Sequence, residues 1–334
     1  MNVSARFLLY AAFWILLTCN VQAQWQIVRQ DDTKCDNKGS RCDLNAVFFA
    51  DKENGWIVGD RGIIRATQNE GERWSAQESS VKTAISDVVF LNKKDGFLVA
   101  SGARIYRTLD GGNTWSADPI FQIVAPKNVA KQDLPELYSL AFPSKKKGWV
   151  VGTEGRIFHT EDGGQSWAQQ ESGTKEELVH VRFINDKYGW IVGGKGIILF
   201  TEDSGRTWAK QTSGAQSHLY HIDAISKKEA VIVGDGGLVL RTENGGLSWD
   251  KVKIDILDSF KPKDRPSLLS VAFVNDDLGF IIGFNGTVLR TGDGGKTWLQ
   301  QESGTKQNLY GLVAKKKAIW AVGGDGLILR YQDK

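Results

Sequence analysis

An all-β ring of seven four-stranded antiparallel blades, a β-propeller, is the fold the sequence predicts. Three observations predict it. The stretch Thr291-Gly-Asp-Gly-Gly-Lys-Thr-Trp298 returns at Thr108–Trp115, Thr160–Trp167, Thr201–Trp208 and Thr242–Trp249, with a worn copy at Thr67–Trp74. Each copy ends the same longer unit, in which three short apolar runs alternate with turn residues, as strands of a small sheet do. The composition agrees: 334 residues hold 12 Trp and 37 Gly against one Met, which suits strands, tight turns and aromatic wedges.

Within the unit, a Leu-x-x-Val-x-Phe strand leads through a polar turn to a Gly-Trp-Ile-Val-Gly strand. A Gly-rich turn, an Ile-Leu-Arg-Thr strand and the Asp-Gly-Gly turn follow, and a fourth strand begins at the Trp. Blade one runs from Ala46 through Gly55–Gly59 to Trp74, and blade two from Val88 through Gly96 to Trp115. Blades three to six repeat this through Gly148–Gly152, Gly189–Gly193, Ala230–Gly234 and Gly279–Gly283. A seventh copy starts at Leu309 and reaches Arg330 without a fourth strand. Trp25-Gln-Ile-Val28 resembles the segment after each turn, so the N-terminal strand is expected to complete the last blade and close the ring.

Ahead of it, Arg6, the apolar run Phe7–Cys19 and Val21-Gln22-Ala23 predict a signal peptide over residues 1–23, cleaved before Gln24. The alternatives are a lipoprotein acylated at Cys19 and an uncleaved anchor. Residues 24–334 then form one exported domain, destined for a periplasm, a thylakoid-lumen-like space or the exterior. Cys35 and Cys42 are expected to pair there. A net charge of +3 does not point to nucleic acid.

Strand alternation sets the faces. If each first strand runs downward, the Gly-rich turns and the connections between blades lie on the upper face. The Asp-Gly-Gly turns and the lysine turns Lys93-Lys94, Lys145–Lys147, Lys227-Lys228 and Lys315–Lys317 lie below. The inter-blade insertions, Asp118–Glu136, Ile254–Pro266 and the stretch around Cys35–Cys42, all fall above. Insertions gathered on one face of a repeat protein mark a binding face, so the upper face and the channel mouth are the expected site.

The Asp-Gly-Gly turn has the look of a phosphate or calcium loop, but a motif repeated around a ring makes a poor single site. Asp110, Asp162, Asp203 and Asp293 are expected to accept turn amides, and Trp115, Trp167, Trp208 and Trp298 to wedge between blades. Asn69 and Asn244 replace the Asp in two copies, as a turn tolerates and a carboxylate metal site does not. A glycosidase needs two carboxylates across the bond. Asp235, Asp325 and Glu154 are the only candidates, and surface-turn roles explain them better. His218 and His221 are too few for a metal site. No cofactor and no metal are expected.

The Ser/Thr-x-Asp-x-Gly-x-x-Trp motif resembles the Asp-box, or bacterial neuraminidase repeat. The longer unit, from Gly-Trp-Ile-Val-Gly to Thr-Trp, resembles the photosystem II stability/assembly factor family over nearly all of the mature chain. That resemblance implies an exported, seven-bladed, non-catalytic scaffold that binds a protein client, in phototrophs an early D1 intermediate. It also implies an arginine-rich patch. Arg107, Arg241, Arg290 and Arg330 stand just before the turn Thr in four blades, and Arg61, Arg104 and Arg156 sit in upper turns. A monomer is expected, with peripheral membrane contact allowed by the basic lower rim. The alternatives are a glycan-binding or carbohydrate-active Asp-box protein, or a general envelope scaffold.

Overall fold

The computed structural model describes residues 24–28, 41–124, 134–316 and 318–332. The expected signal peptide, Cys19, Cys35, Lys317 and much of the first long insertion lie outside them. Cys42 is disulfide-bonded and buried.

Seven separate four-stranded sheets form the blades, each in plain antiparallel order. The strand Gln24–Ile27 pairs with Leu327–Gln332, Trp25 lying opposite Tyr331, so the first strand of the described chain completes the blade that contains the last. Trp25 is buried there, edge-on to Phe280 and Tyr331. The expected closure is what forms.

The core lies between blades. Each second strand buries all its residues whose burial is described, as Gly55–Gly59, Gly189–Gly193 and Gly279–Gly283 do. Trp56 of blade one stacks on Phe90 of blade two at 3.5 Å, and Phe90 meets Trp115 edge-on at 6.0 Å. The same wedge recurs where Trp149 packs on Phe183 and Phe183 on Trp208. Each turn Trp thus fills the seam toward the preceding blade, which is where most of the apolar area is buried.

The lower turn is built as the sequence implies. Thr291 donates to Asp293 at 2.7 Å and accepts from the Gly295 amide. Asp293 also takes the amide and hydroxyl of Thr297, at 2.9 and 2.6 Å. Asn244 keeps the pattern by donating to Ser248 in place of accepting. The second turn glycine is indispensable. Gly71 has φ +78°, and a Cβ there would lie 2.2 Å from the Trp320 ring of the preceding blade. The first is not, since Glu70 and Ser204 occupy it at φ 60° and 66°.

Blade two departs from the expected plan. Its fourth strand is Phe121–Gln122, several residues beyond Trp115, pairing with Ile105 and Arg104. Part of the stretch expected to be a loop insertion is therefore sheet. Phe121, packed against Phe158 and Trp167 of blade three, supplies the apolar contact that the residues directly after Trp115, Ser116-Ala-Asp-Pro119, lack.

Candidate binding site in the channel and at its mouths

The two faces come out as the alternation requires. Below, the Asp-Gly-Gly turns hydrogen-bond the lysine turns, Gly111 to Lys94, Gly163 to Lys146 and Gly245 to Lys228. Above, the Gly-rich turns bond the inter-blade connections, Asp60 to Asp43, Gly194 to Glu177 and Asp235 to His218.

Seven first strands line the channel, and all seven break register after their first residue. Such a bulge re-aims the extra residue. In blades three, five and seven that residue is Tyr138, Tyr220 and Tyr310. Tyr220 donates to Asp235 at 2.7 Å and Tyr310 to Asp43 at 3.2 Å. Burial first, then the Glu177 carboxylate, raises the Tyr138 phenol. Burial and then Asp235 do the same to Tyr220. His218 stacks on Tyr220 and faces Glu177 at 3.6 Å. Three tyrosines beside carboxylates thus stand at the upper mouth, in blades three, five and seven.

Farther down, His180 and His221 of adjacent blades stack at 3.7 Å. Burial, then the neighbouring His221 and Arg182, holds the His180 imidazole well below its usual value. Burial and then Arg182 bring His221 down to about 3. Both rings are therefore neutral at pH 7. Asp87 accepts the Val88 and Leu140 amides at 2.8 and 3.0 Å, yet burial lifts its carboxyl to about 6. At the lower end Arg182 Nε meets Asp223 at 3.0 Å, and Asp223 also takes the Phe273 and Ala224 amides.

The arginines named from the sequence do not gather into one patch. Arg104 donates to the Ser101 carbonyl, and Arg156 pairs with Glu154 and Thr153. Arg61 is exposed in an upper turn at φ 54°. On the lower half, Arg107 forks onto Asp95 with two 3.0 Å bonds and covers the Phe97 ring. Arg241 is 7% exposed, bonded to Glu229, Glu243 and the Gly294 carbonyl. Arg290 lies opposite Phe280 in its sheet, and Arg330 sits 5.2 Å over Trp320. Asp235 takes hydroxyls from Tyr220 and Ser267, and Glu154 is in the Arg156 pair, so these proposed carboxylates are engaged in local turns. Among the described residues no group of three or more His, Cys, Asp or Glu is placed to hold a metal.

Sequence reasoning weighed His221 only as a metal ligand and missed the other channel residues. A signal was present: only blades four and five carry His at the third first-strand position and a charge at the fifth, in Val179-His-Val-Arg182 and Tyr220-His-Ile-Asp223. These polar side chains lie on the first-strand face toward the following blade: Asp87 accepts the Leu140 amide of blade three, and Arg182 bonds Asp223 of blade five.

A family model described as photosynthesis system II assembly factor YCF48 matches residues 74–169, 169–263 and 262–334. Among curated proteins no sequence matches. Among solved structures, a YCF48 bound to a D1 peptide is similar with a TM-score of 0.71 at 18% identity, covering 96% of this chain and 100% of that one. YCF48 from Cyanidioschyzon merolae gives 0.71 at 20% identity, covering 93% and 99%. The xyloglucanase of family GH74 from Xanthomonas campestris gives 0.67 at 14%, covering 92% of this chain and 53% of the other. At such identities the structures share the fold, while the matched family model covers most of the sequence. The chain belongs to the photosynthesis system II assembly factor YCF48 family.

Proposed function

We propose that this protein is an exported, non-catalytic scaffold that holds a protein client on its upper face. Family membership is the observation that carries the reading. The relative solved with a D1 peptide supports an early D1 intermediate as the client. The asymmetry of the ring supports the face: the described part of the long insertions and the tyrosine mouth lie above, while the lower turns are near-copies of one another. Arg61, Arg104 and Arg156 edge that face and would meet acidic client residues. The exposed lower lysines would turn toward an anionic membrane surface.

A glycan-processing reading draws on shared fold with a xyloglucanase, and two of the three carboxylates it would use, Asp235 and Glu154, are taken by Tyr220, Ser267 and Arg156. The test is affinity capture from native membranes with tagged protein. The expected result is a D1 intermediate, recovered by wild type and lost by the triple Arg61→Gln, Arg104→Gln, Arg156→Gln variant. Undiminished recovery by that variant removes the upper-face arginines from the account. Absence of D1 together with retention on a glycan matrix overturns the client.

A further inference from the structure

The lower end of the channel opens into a cavity of about 330 Å³, lined by the ends of all seven first strands. That volume is at the small end of ordinary ligand sites. Apolar residues, with Phe48, Val89, Phe142 and Val313 among them, make up most of its lining, alongside His180, His221 and the carboxylates of Asp87 and Asp223. Two cations enter it, Arg182 from blade four and Lys315 from blade seven. Arg182 is 48% exposed and gives only its Nε to Asp223. Its two terminal nitrogens carry no hydrogen bond among the described residues. The Lys315 amine bonds the Phe49 carbonyl and lies 5.1 Å from the Phe48 ring centre. Burial, then the charge of Arg182, lowers the affinity of Lys315 for its proton. The two cations therefore sense each other across the cavity, and Asp223 is already occupied by Arg182 and two amides.

We propose that this lower cavity binds a carboxylate with a compact apolar body: a small organic acid, or the terminal carboxylate of a peptide ending in an apolar residue. The geometry fits the charge and the shape together. A planar carboxylate matches the paired Nη donors of a guanidinium, and its second oxygen can take the lysine. An anion between the two cations removes their mutual repulsion, and the Phe48 and Phe142 rings cover the apolar body. The histidines above are neutral and close the cavity without adding charge. The site lies on the face opposite the proposed client surface and stands independently of that reading.

Isothermal titration of the full mature protein with 3-phenylpropionate, alongside 3-phenylpropionamide, tests this. The acid is expected to bind at least tenfold more tightly than the amide. Arg182→Gln and Lys315→Gln are each expected to weaken the acid about tenfold, the loss typical of one charged contact. Tyr220→Phe at the upper mouth should leave binding unchanged. Because Arg182→Gln leaves Asp223 without its partner, Lys315→Gln is the cleaner variant, and both are first checked by thermal unfolding. A six-residue peptide ending in Phe, with a free or amidated C-terminus, separates the two sources. Tighter binding of the free-ended peptide than of the small acid assigns a chain terminus; binding of the small acid alone assigns a metabolite-sized ligand. Equal affinity for acid and amide, or for wild type and Lys315→Gln, overturns the proposal.

Discussion

The lower turns and the first strands belong to the same repeat, yet they have been used in opposite ways. Six lower turns keep one hydrogen-bond pattern, down to the Thr hydroxyl that donates to Asp110, Asp162, Asp203 and Asp293. The first strands keep their buried positions and diverge wherever a side chain meets the channel: Asp87 in blade two, His180 and Arg182 in blade four, His221 and Asp223 in blade five. Uniformity marks what every seam needs, and divergence marks what only one place needs. The turn that attracts attention as a ligand loop is a clasp, and the polar interruptions of plain apolar strands make the distinctive chemistry.

The comparison can be broken first at the closing seam. Deleting residues 24–28 removes the fourth strand of blade seven and Trp25 from its pocket, exposing an edge. Trp25→Ala alone should cost about 3–5 kcal/mol, as large-to-small core changes do, and the deletion more, both measured by denaturant unfolding. Unchanged unfolding of the deletion would show that closure does not hold the ring.

Next in size come the turn glycines. Gly71→Ala meets the Trp320 ring as well as a positive φ, whereas Gly173→Ala, at φ +73°, meets nothing within 4 Å. We expect the first to lose about 3 kcal/mol or more and the second about 1 kcal/mol, the cost of the left-handed backbone alone. Equal losses would mean that backbone strain, and not the seam, sets the requirement.

The channel gives a pH signature that the clasps do not. His180 is held well below 6.5 in the fold and His221 at about 3, so below 6.5 the unfolded chain binds more protons. Their contribution is intact above 6.5 and is lost as pH falls. Asp87, raised to about 6, works the other way as one group against two: it favours the fold below 3.8, and that gain is lost as pH rises through 6. Net stability should fall on acidification below 6.5. The double variant His180→Gln, His221→Gln should flatten or reverse that slope in unfolding curves taken across this range.

The smallest expected effects are at the clasp carboxylates. Asp293→Ala loses bonds to Thr291 and Thr297 and should cost about 1–2 kcal/mol. Asp293→Asn should stay within about 0.5 kcal/mol, because Asn244 already serves in the same place.

The fold was legible in the sequence because one unit is repeated and each copy carries its own turn chemistry. Ring closure was legible because Trp25 imitates the Trp after every turn. The displaced strand Phe121–Gln122 was not, since the turn Trp normally announces the fourth strand and here Phe121 supplies the apolar contact instead. The channel was not legible for a related reason. Which residues of a first strand face inward depends on a bulge, and the bulge has no residue signature: Tyr138, Val179 and Leu269 all occupy it. The arginines were visible, but their partners, such as Asp95 for Arg107 and Glu229 for Arg241, lie across turns that fix them only in three dimensions.

The division of labour between the faces is the central claim, and one binding measurement tests it most directly. A D1-derived segment is titrated against wild type, against the Arg61→Gln, Arg104→Gln, Arg156→Gln variant, and against a lower-rim variant with Lys93, Lys94 and Lys145 changed to Gln. The account predicts a loss of tenfold or more for the upper variant and less than twofold for the lower one. Binding that survives the upper changes and fails with the lower ones would contradict it.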